Sequence, residues 1–173
     1  MIFGGVFERH PGLKLVYTEL RVTWVPDLLR NMDSLYSGDS TPETHCELIS
    51  KPPSEYWYAH CYNSGSFLAP FEVALRHEVG LRNQMWGADY PHTEGTWPRT
   101  ILSLRNTFHD VPEDEARMIL GENAVDAFGL DRRSLRAVAD RIGPLPSDIA
   151  RPLASDELPE RPGLAFRRMG TFA

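Results

Sequence analysis

The segment Trp86-Gly87-Ala88-Asp89-Tyr90-Pro91-His92 sets a carboxylate and an imidazole three residues apart, directly after a short apolar run. An aspartate in that place offers a metal ligand or a general base: its carboxylate stands at the rim of a strand, and the proline that follows stiffens the loop. The same aspartate can instead serve a strand-to-helix turn by accepting backbone hydrogen bonds. His92 offers an imidazole that ligates a metal or orients bound water, and is otherwise a loop histidine facing solvent. Glu19 ends the run Leu13-Lys14-Leu15-Val16-Tyr17-Thr18-Glu19 and is a candidate acid or base, with an ion pair to a neighbour such as Arg21 as the plain alternative. Asn63 and Ser64 hold the corresponding place after another short run. His10, His45, His60, His77 and His109 fall in turns, loops or polar helical stretches, and most read as structural. The tryptophans Trp24, Trp57, Trp86 and Trp97 read as core or rim packing.

Such residues act together only if the chain brings the ends of several strands to one rim. Residues 13–19, 60–64 and 83–87 are rich in β-formers and too short for helices, which predicts buried strands. Helical periodicity and stop signals predict helices over 24–36, 54–59, 68–79, 96–108, 112–120, 124–128 and 132–142. Gly38 and Gly80 stand just past two of them, and Gly121 interrupts a third. Strand, helix, strand, helix, strand, helix implies parallel strands with right-handed crossovers, an α/β sheet covered by helices. In that architecture the chemistry gathers where strands run out at their C-terminal ends. Residues 37–53 are polar and proline-punctuated, predicting a long loop. Residues 144–162 hold five prolines and few large apolar residues, predicting an extended, weakly structured tail onto which Leu164-Ala165-Phe166 docks back. The division is a domain over 1–143 and a tail over 144–173.

The 173 residues, 42% hydrophobic and 24% charged, suit one globular domain. A net charge of −6 with no basic face argues against nucleic acid. Cys46 and Cys61 form neither a disulfide framework nor a Cys-x-x-Cys pair, which suits a reducing cytoplasm. No run approaches the roughly 18 apolar residues that span a bilayer, so no membrane is expected. Gly-x-Ser-x-Gly, phosphate-loop and Gly-x-Gly-x-x-Gly motifs are absent, against nucleophile-elbow and nucleotide chemistry. The opening Ile2-Phe3-Gly4-Gly5-Val6-Phe7-Glu8-Arg9 reads either as the end of an apolar helix or as a short capping helix.

Three stretches resemble the amidohydrolase-related metal-dependent hydrolases, the type that includes aminocarboxymuconate-semialdehyde decarboxylase. They are GVFERHPGLKLVYTE with its following W-x-P, KPPSEYW through MWGADYPHTEGTWPRT, and ILGENAVDAFGLD, and the closing Phe166-Arg167-Arg168-Met169-Gly170 is similar to the end of many such proteins. The resemblance implies the C-terminal portion of a (β/α)8 barrel, about strands six to eight with their helices. It implies a divalent metal, zinc in most members, that activates water or polarises a carboxylate or carbonyl. Asp89 then matches the aspartate after the last strand, a metal ligand that also handles the proton.

Glu19 matches a position where the decarboxylases carry a catalytic histidine, and Leu20 and Arg21 replace small residues beside it. A carboxylate cannot act as an imidazolium, which leaves hydrolysis and decarboxylation both open. The family's His-x-His and a further histidine have no counterpart here, so Asp89 alone of the family ligands is present and tight metal binding in the family's way is not expected. The expectation is the C-terminal part of a metal-dependent hydrolase or carboxy-lyase for a small carbonyl or carboxylate compound, with Glu19, Asp89 and His92 as its catalytic residues. The alternative is an inactive remnant or binding module of the same fold. Open sheet edges would favour a homo-oligomer or a separately encoded N-terminal half.

Overall fold

The computed structural model describes residues 1–38 and 46–167; His45 and residues 168–170 lie outside them. Helix α1 (Val6–Arg9) leads to strand β1 (Leu15–Thr18) and helix α2 (Val25–Ser37). Helix α3 (Pro53–His60) precedes β2 (Cys61–Ser66), and the short helices α4 (Pro70–Ala74) and α5 (Arg76–Val79) precede β3 (Gln84–Gly87). Five more helices follow: α6 (Thr100–Phe108), α7 (Glu113–Arg117), α8 (Asn123–Phe128), α9 (Arg132–Ile142) and α10 (Pro146–Ile149).

The strands pair in parallel in the order β1-β2-β3, with Leu15 opposite Cys61 and Asn63 opposite Gln84. All three therefore run out at the same end of the sheet. Polar side chains fix where β3 begins. Buried Asn83 sets its amide nitrogen 2.8 to 3.2 Å from the carbonyls of Trp57, Tyr58 and Cys61. Asn123 donates to the carbonyls of Leu81 and Gln84 at 2.8 and 2.7 Å.

The core lies where the helices meet the sheet, around Val25, Leu29, Trp57, Val73, Val79 and Phe108. Trp57 is 1% exposed and donates its indole N–H to the Val79 carbonyl at 2.7 Å. Burying roughly 200 Å² of indole at about 25 cal/mol per Å² contributes on the order of 5 kcal/mol, an upper value. Trp24 and Tyr17 pack on the same ring. Trp97, by contrast, is exposed and makes an edge contact with exposed Tyr90.

Most predicted elements form, with corrections at their ends. Helix α2 stops at Gly38, whose φ of 80° is the left-handed conformation that glycine adopts without strain. The helix predicted over 68–79 is two short helices, the first starting at Pro70 because proline suits a first helical turn and holds Ala69 extended. Gly121 does not break its helix: residues Met118–Glu122 widen into one π turn that joins α7 to α8. Asn63 and Ser64 lie within β2, which runs on to Ser66, so neither stands at the rim.

The segment after residue 143, predicted to be extended and weakly structured, carries helix α10 and two 3-10 turns and is packed rather than loose. Ile149 enters the main core, and Ala165 and Phe166 bury against Phe67 in a second cluster. Buried Arg105 in α6 makes a bidentate pair with Glu157 at 2.6 Å and donates to the carbonyls of Arg151 and Pro152. A planar guanidinium satisfies several carbonyl and carboxylate acceptors at once, which ties down a backbone with little regular structure of its own. No described helix is long and apolar enough to cross a membrane.

Candidate active site

Each strand ends in a residue bent into left-handed backbone: Glu19 after β1 (φ 58°), Phe67 after β2 (φ 37°) and Asp89 after β3 (φ 58°). A non-glycine residue there costs roughly 1–3 kcal/mol and persists only where its surroundings impose it. The first two bends are imposed by the sheet. Glu19 N–H donates to the Ser64 carbonyl at 3.0 Å and Phe67 N–H to the Gly87 carbonyl at 2.7 Å. At Asp89 the loop closes on itself, with His92 N–H donating to the Asp89 carbonyl at 2.9 Å and Thr96 N–H to the Ala88 carbonyl at 3.0 Å.

The bends surround a cavity of about 200 Å³, lined by Glu19, Leu20, Arg21, Gly65, Ser66, Phe67, Glu72, Asp89, His92, Glu94, Leu164 and Arg167. Glu19, Asp89 and His92, which the sequence singles out from three positions, thus share one space. His92 Nδ1 is 3.2 Å from Asp89 Oδ1, and the Asp89 side chain is 12% exposed against 59% for His92. Glu19 is exposed and follows β1, the edge strand across the sheet from β3.

One residue that sequence reasoning passed over joins them. Donor atoms of Asp89, His92 and Glu94 all lie within 4.8 Å of one another. Donors on a single tetrahedral ion at about 2.0–2.2 Å stand roughly 3.4 Å apart, so the exposed His92 and Glu94 side chains would turn inward toward Asp89 to share one. One imidazole and two carboxylates suit zinc or manganese. The donor set therefore fits a divalent ion. The signal was in the sequence, as Asp-x-x-His-x-Glu within one loop, but only the loop's closure shows that these side chains converge.

A second cluster went unforeseen. Glu72, in the first turn of α4, is fully buried, accepts from Ala69 N–H at 2.9 Å, and pairs with the guanidinium of Arg167 from the far end of the chain. Among the described residues, the other histidines do not line the cavity. His60 stacks on Phe7 at 4.6 Å and sets Nδ1 3.0 Å from the Leu13 carbonyl, and His109 lies 3.0 Å from the Arg105 carbonyl.

An acidic residue at the mouth of a parallel strand, facing a cavity built by neighbouring strand ends, is the arrangement of barrel hydrolases, and the family model for amidohydrolases matches residues 1–130. The chain belongs to the amidohydrolase family. No curated protein sequence matches this amidohydrolase. Among solved structures it is similar to the 5-carboxyvanillate decarboxylase of Sphingomonas paucimobilis, at 25% identity over 76% of this chain, with a TM-score of 0.59. It also shares the fold of a dihydroxybenzoic acid decarboxylase from a Polaromonas species, solved with manganese and the inhibitor 2-nitroresorcinol. The identity there is 19% over 76% of this chain, with a TM-score of 0.55. The amidohydrolase chain spans 38% of the length of each. Its three-stranded sheet corresponds to part of an amidohydrolase barrel.

Proposed function

We propose that residues 1–143 form strands six to eight of an amidohydrolase barrel, with 144–173 as its tail. Its site acts on a small carbonyl or carboxylate compound, by hydrolysis or decarboxylation. The observation that carries this is the meeting of Glu19, Asp89 and His92 around one cavity at the strand ends. The size suits a small molecule: about 150 Å³ holds a benzene ring, so about 200 Å³ takes little more than one ring and a substituent.

Asp89 would hold the divalent metal, with His92 and Glu94 as its nearest companions. The family pattern favours zinc, and the manganese of one neighbour makes that ion the competitor. When bound, such an ion supplies Lewis acidity toward a carbonyl or carboxylate oxygen. Asp89 is largely shielded from water and is fixed by the loop that closes behind it, which suits a carboxylate that keeps one orientation while it accepts a proton. His92 faces the same carboxylate through Nδ1 and leaves its other ring nitrogen free to orient a ligand or water. Glu19, exposed and lining the same cavity, can move a proton to or from a bound molecule.

The sheet's outer edges, on β1 and β3, support completion by further strands, from a second copy or from a separately encoded N-terminal half. Two free cysteines support a cytoplasmic setting.

The test is equilibrium dialysis of the purified chain against Zn²⁺ and Mn²⁺, with Asp89→Ala as control. One ion per chain, lost in the variant, is the expected result. Equal uptake by both proteins would overturn Asp89 as the ligand, and no uptake would leave the same fold serving as a binding module.

A further inference from the structure

The cavity wall includes a piece of chain that lies far beyond the residues matched by the family model. Leu164 and Arg167 line it together with Leu20, Phe67, Glu19 and Asp89. They arrive on a 3-10 turn, Leu164–Phe166, that is pinned at three points. Ser103 Oγ donates to the Ala165 carbonyl at 2.7 Å, and Ala165 and Phe166 bury against Phe67. Arg167 then donates to the carbonyls of Phe67 and Leu164 at 3.2 and 3.3 Å, sets its guanidinium 5.3 Å from the Phe67 ring centre, and pairs with Glu72.

That last pair is deeply placed, with 9% of the Arg167 side chain and none of the Glu72 side chain exposed. Removing either partner leaves the other charge buried and uncompensated, so the pair acts as a clasp that breaks as a unit. A second pair, Arg105 with Glu157, holds the approach to it. Both anchors, Glu72 and Arg105, sit on helices of the family-matched part, while Glu157 and Arg167 belong to the tail.

The apolar lining of the cavity comes from Leu20, Phe67 and Leu164, and Glu19, Asp89, His92 and Glu94 supply groups capable of chemistry. A ligand that fills the cavity meets both kinds of lining, which suits a compact apolar body bearing a polar group. We propose that the segment Leu164–Arg167 is the specificity wall of this site. Leu164 limits the apolar body to about one ring, and Arg167, clasped to Glu72, is the positioning residue that holds Leu164 in place. The inference rests on the cavity being the substrate pocket, and it adds which part of the chain selects the substrate and for what shape.

The experiment titrates the full chain with benzoate and with 4-tert-butylbenzoate, followed by NMR line broadening of the probes, with Mn²⁺ binding measured in parallel. The wild type is expected to prefer benzoate. Leu164→Ala should erase that preference, a change of about tenfold, the scale on which apolar pockets discriminate small changes in bulk. Arg167→Met should erase it too and open residues 164–167 to limited proteolysis, while Arg167→Lys, which keeps the charge opposite Glu72, should restore part of it. Leu164 is only partly buried, so Leu164→Ala carries the test even where Arg167→Met fails to fold. Failure of both probes to bind the wild type, or an unchanged preference in Leu164→Ala, would overturn the wall. Loss of probe discrimination with Mn²⁺ uptake intact supports it, whereas discrimination without Mn²⁺ uptake supports the wall and removes only the metal reading.

Discussion

His92 Nδ1 stands 3.2 Å from Asp89 Oδ1, two side chains on one tight loop facing each other at the mouth of β3. The contact joins a mostly shielded carboxylate to an exposed imidazole, and Glu94 reaches the same point. A loop arranged this way gathers donors that three separate strands would otherwise have to supply. Its shape is the more consequential because the backbone at Asp89 is held in left-handed conformation.

If these three side chains share an ion, their contributions are graded. His92→Ala and Glu94→Ala are each expected to weaken metal binding by about ten- to a hundredfold, the range seen when groups supporting a metal site are removed. Competition titration with a fluorescent chelator measures it, and wild-type affinity in both variants would rule out a shared ion.

Gly95 closes that loop from behind. A Cβ there would lie 2.8 Å from the Asp89 carbonyl oxygen, 2.9 Å from that of Ala88 and 3.0 Å from that of His92. Backbone atoms cannot yield as a flexible side chain does, so Gly95→Ala should displace the loop. The expected outcome is metal affinity reduced at least as far as in His92→Ala, with the urea midpoint nearly unchanged because the core is remote. A variant that binds metal like the wild type would contradict this.

Asn83 is a stability element rather than a chemical one. Its amide serves three carbonyls from a position 3% exposed. Asn83→Ala leaves these acceptors without a donor, at about 1–3 kcal/mol for a buried unsatisfied group. Urea denaturation should show a loss of that size, and a loss below about 0.5 kcal/mol would mean that water replaces the amide without penalty.

Cys61 gives a chemical handle on burial. Desolvation pushes its thiol up to about 12. Between roughly pH 9, where an unfolded cysteine ionises, and 12 the unfolded state alone sheds the proton, so this group's contribution to stability falls as pH rises through that window. At pH 8 iodoacetamide should leave Cys61 unmodified in the native chain and alkylate it on unfolding, as mass spectrometry of the peptides reports. Native labelling of Cys61 would show that the sheet opens.

The acid side has the opposite sign. Hydrogen bonds from Arg105, then from Ala154 N–H, hold the Glu157 carboxyl down at about 2. Hydrogen bonds from Ser50 and Tyr56 hold the Glu8 carboxyl at about 2. Both groups stabilise the fold above the ordinary glutamate value of 4.5 and lose that contribution as pH falls toward 2. Glu157→Gln should flatten the acid limb and render the tail protease-sensitive near neutral pH; an acid limb identical to the wild type would exclude Glu157 as a contributor.

The alternation of short apolar runs with helical periodicity was enough to predict all three strands and the helix over 132–142, because each depends on local propensity and on stop signals that the chain carries itself. It was enough, too, to place Asp89, His92 and Glu19 at strand ends, since in a parallel sheet the sequence that ends a strand also reaches the rim. Ends were harder: whether Gly121 breaks a helix or Pro98 begins one depends on the packing available to that turn, which local sequence does not encode.

What only the tertiary structure decided are the relationships between distant residues. Glu72 and Arg167 are separated by 95 positions, and nothing in either neighbourhood marks a buried pair; a glutamate in the first turn of a helix is ordinarily solvated. The prolines of the tail predicted an extended segment, but its described part folds into helix α10 and two 3-10 turns. Its placement against the cavity comes from Arg105 and Glu72, which supply charged anchors that composition cannot reveal. The sequence determined which residues could do chemistry, because that resides in side-chain type and in position along a strand. Folding decided which of them share a space and what walls it in, because that depends on contacts between parts of the chain that no local pattern connects.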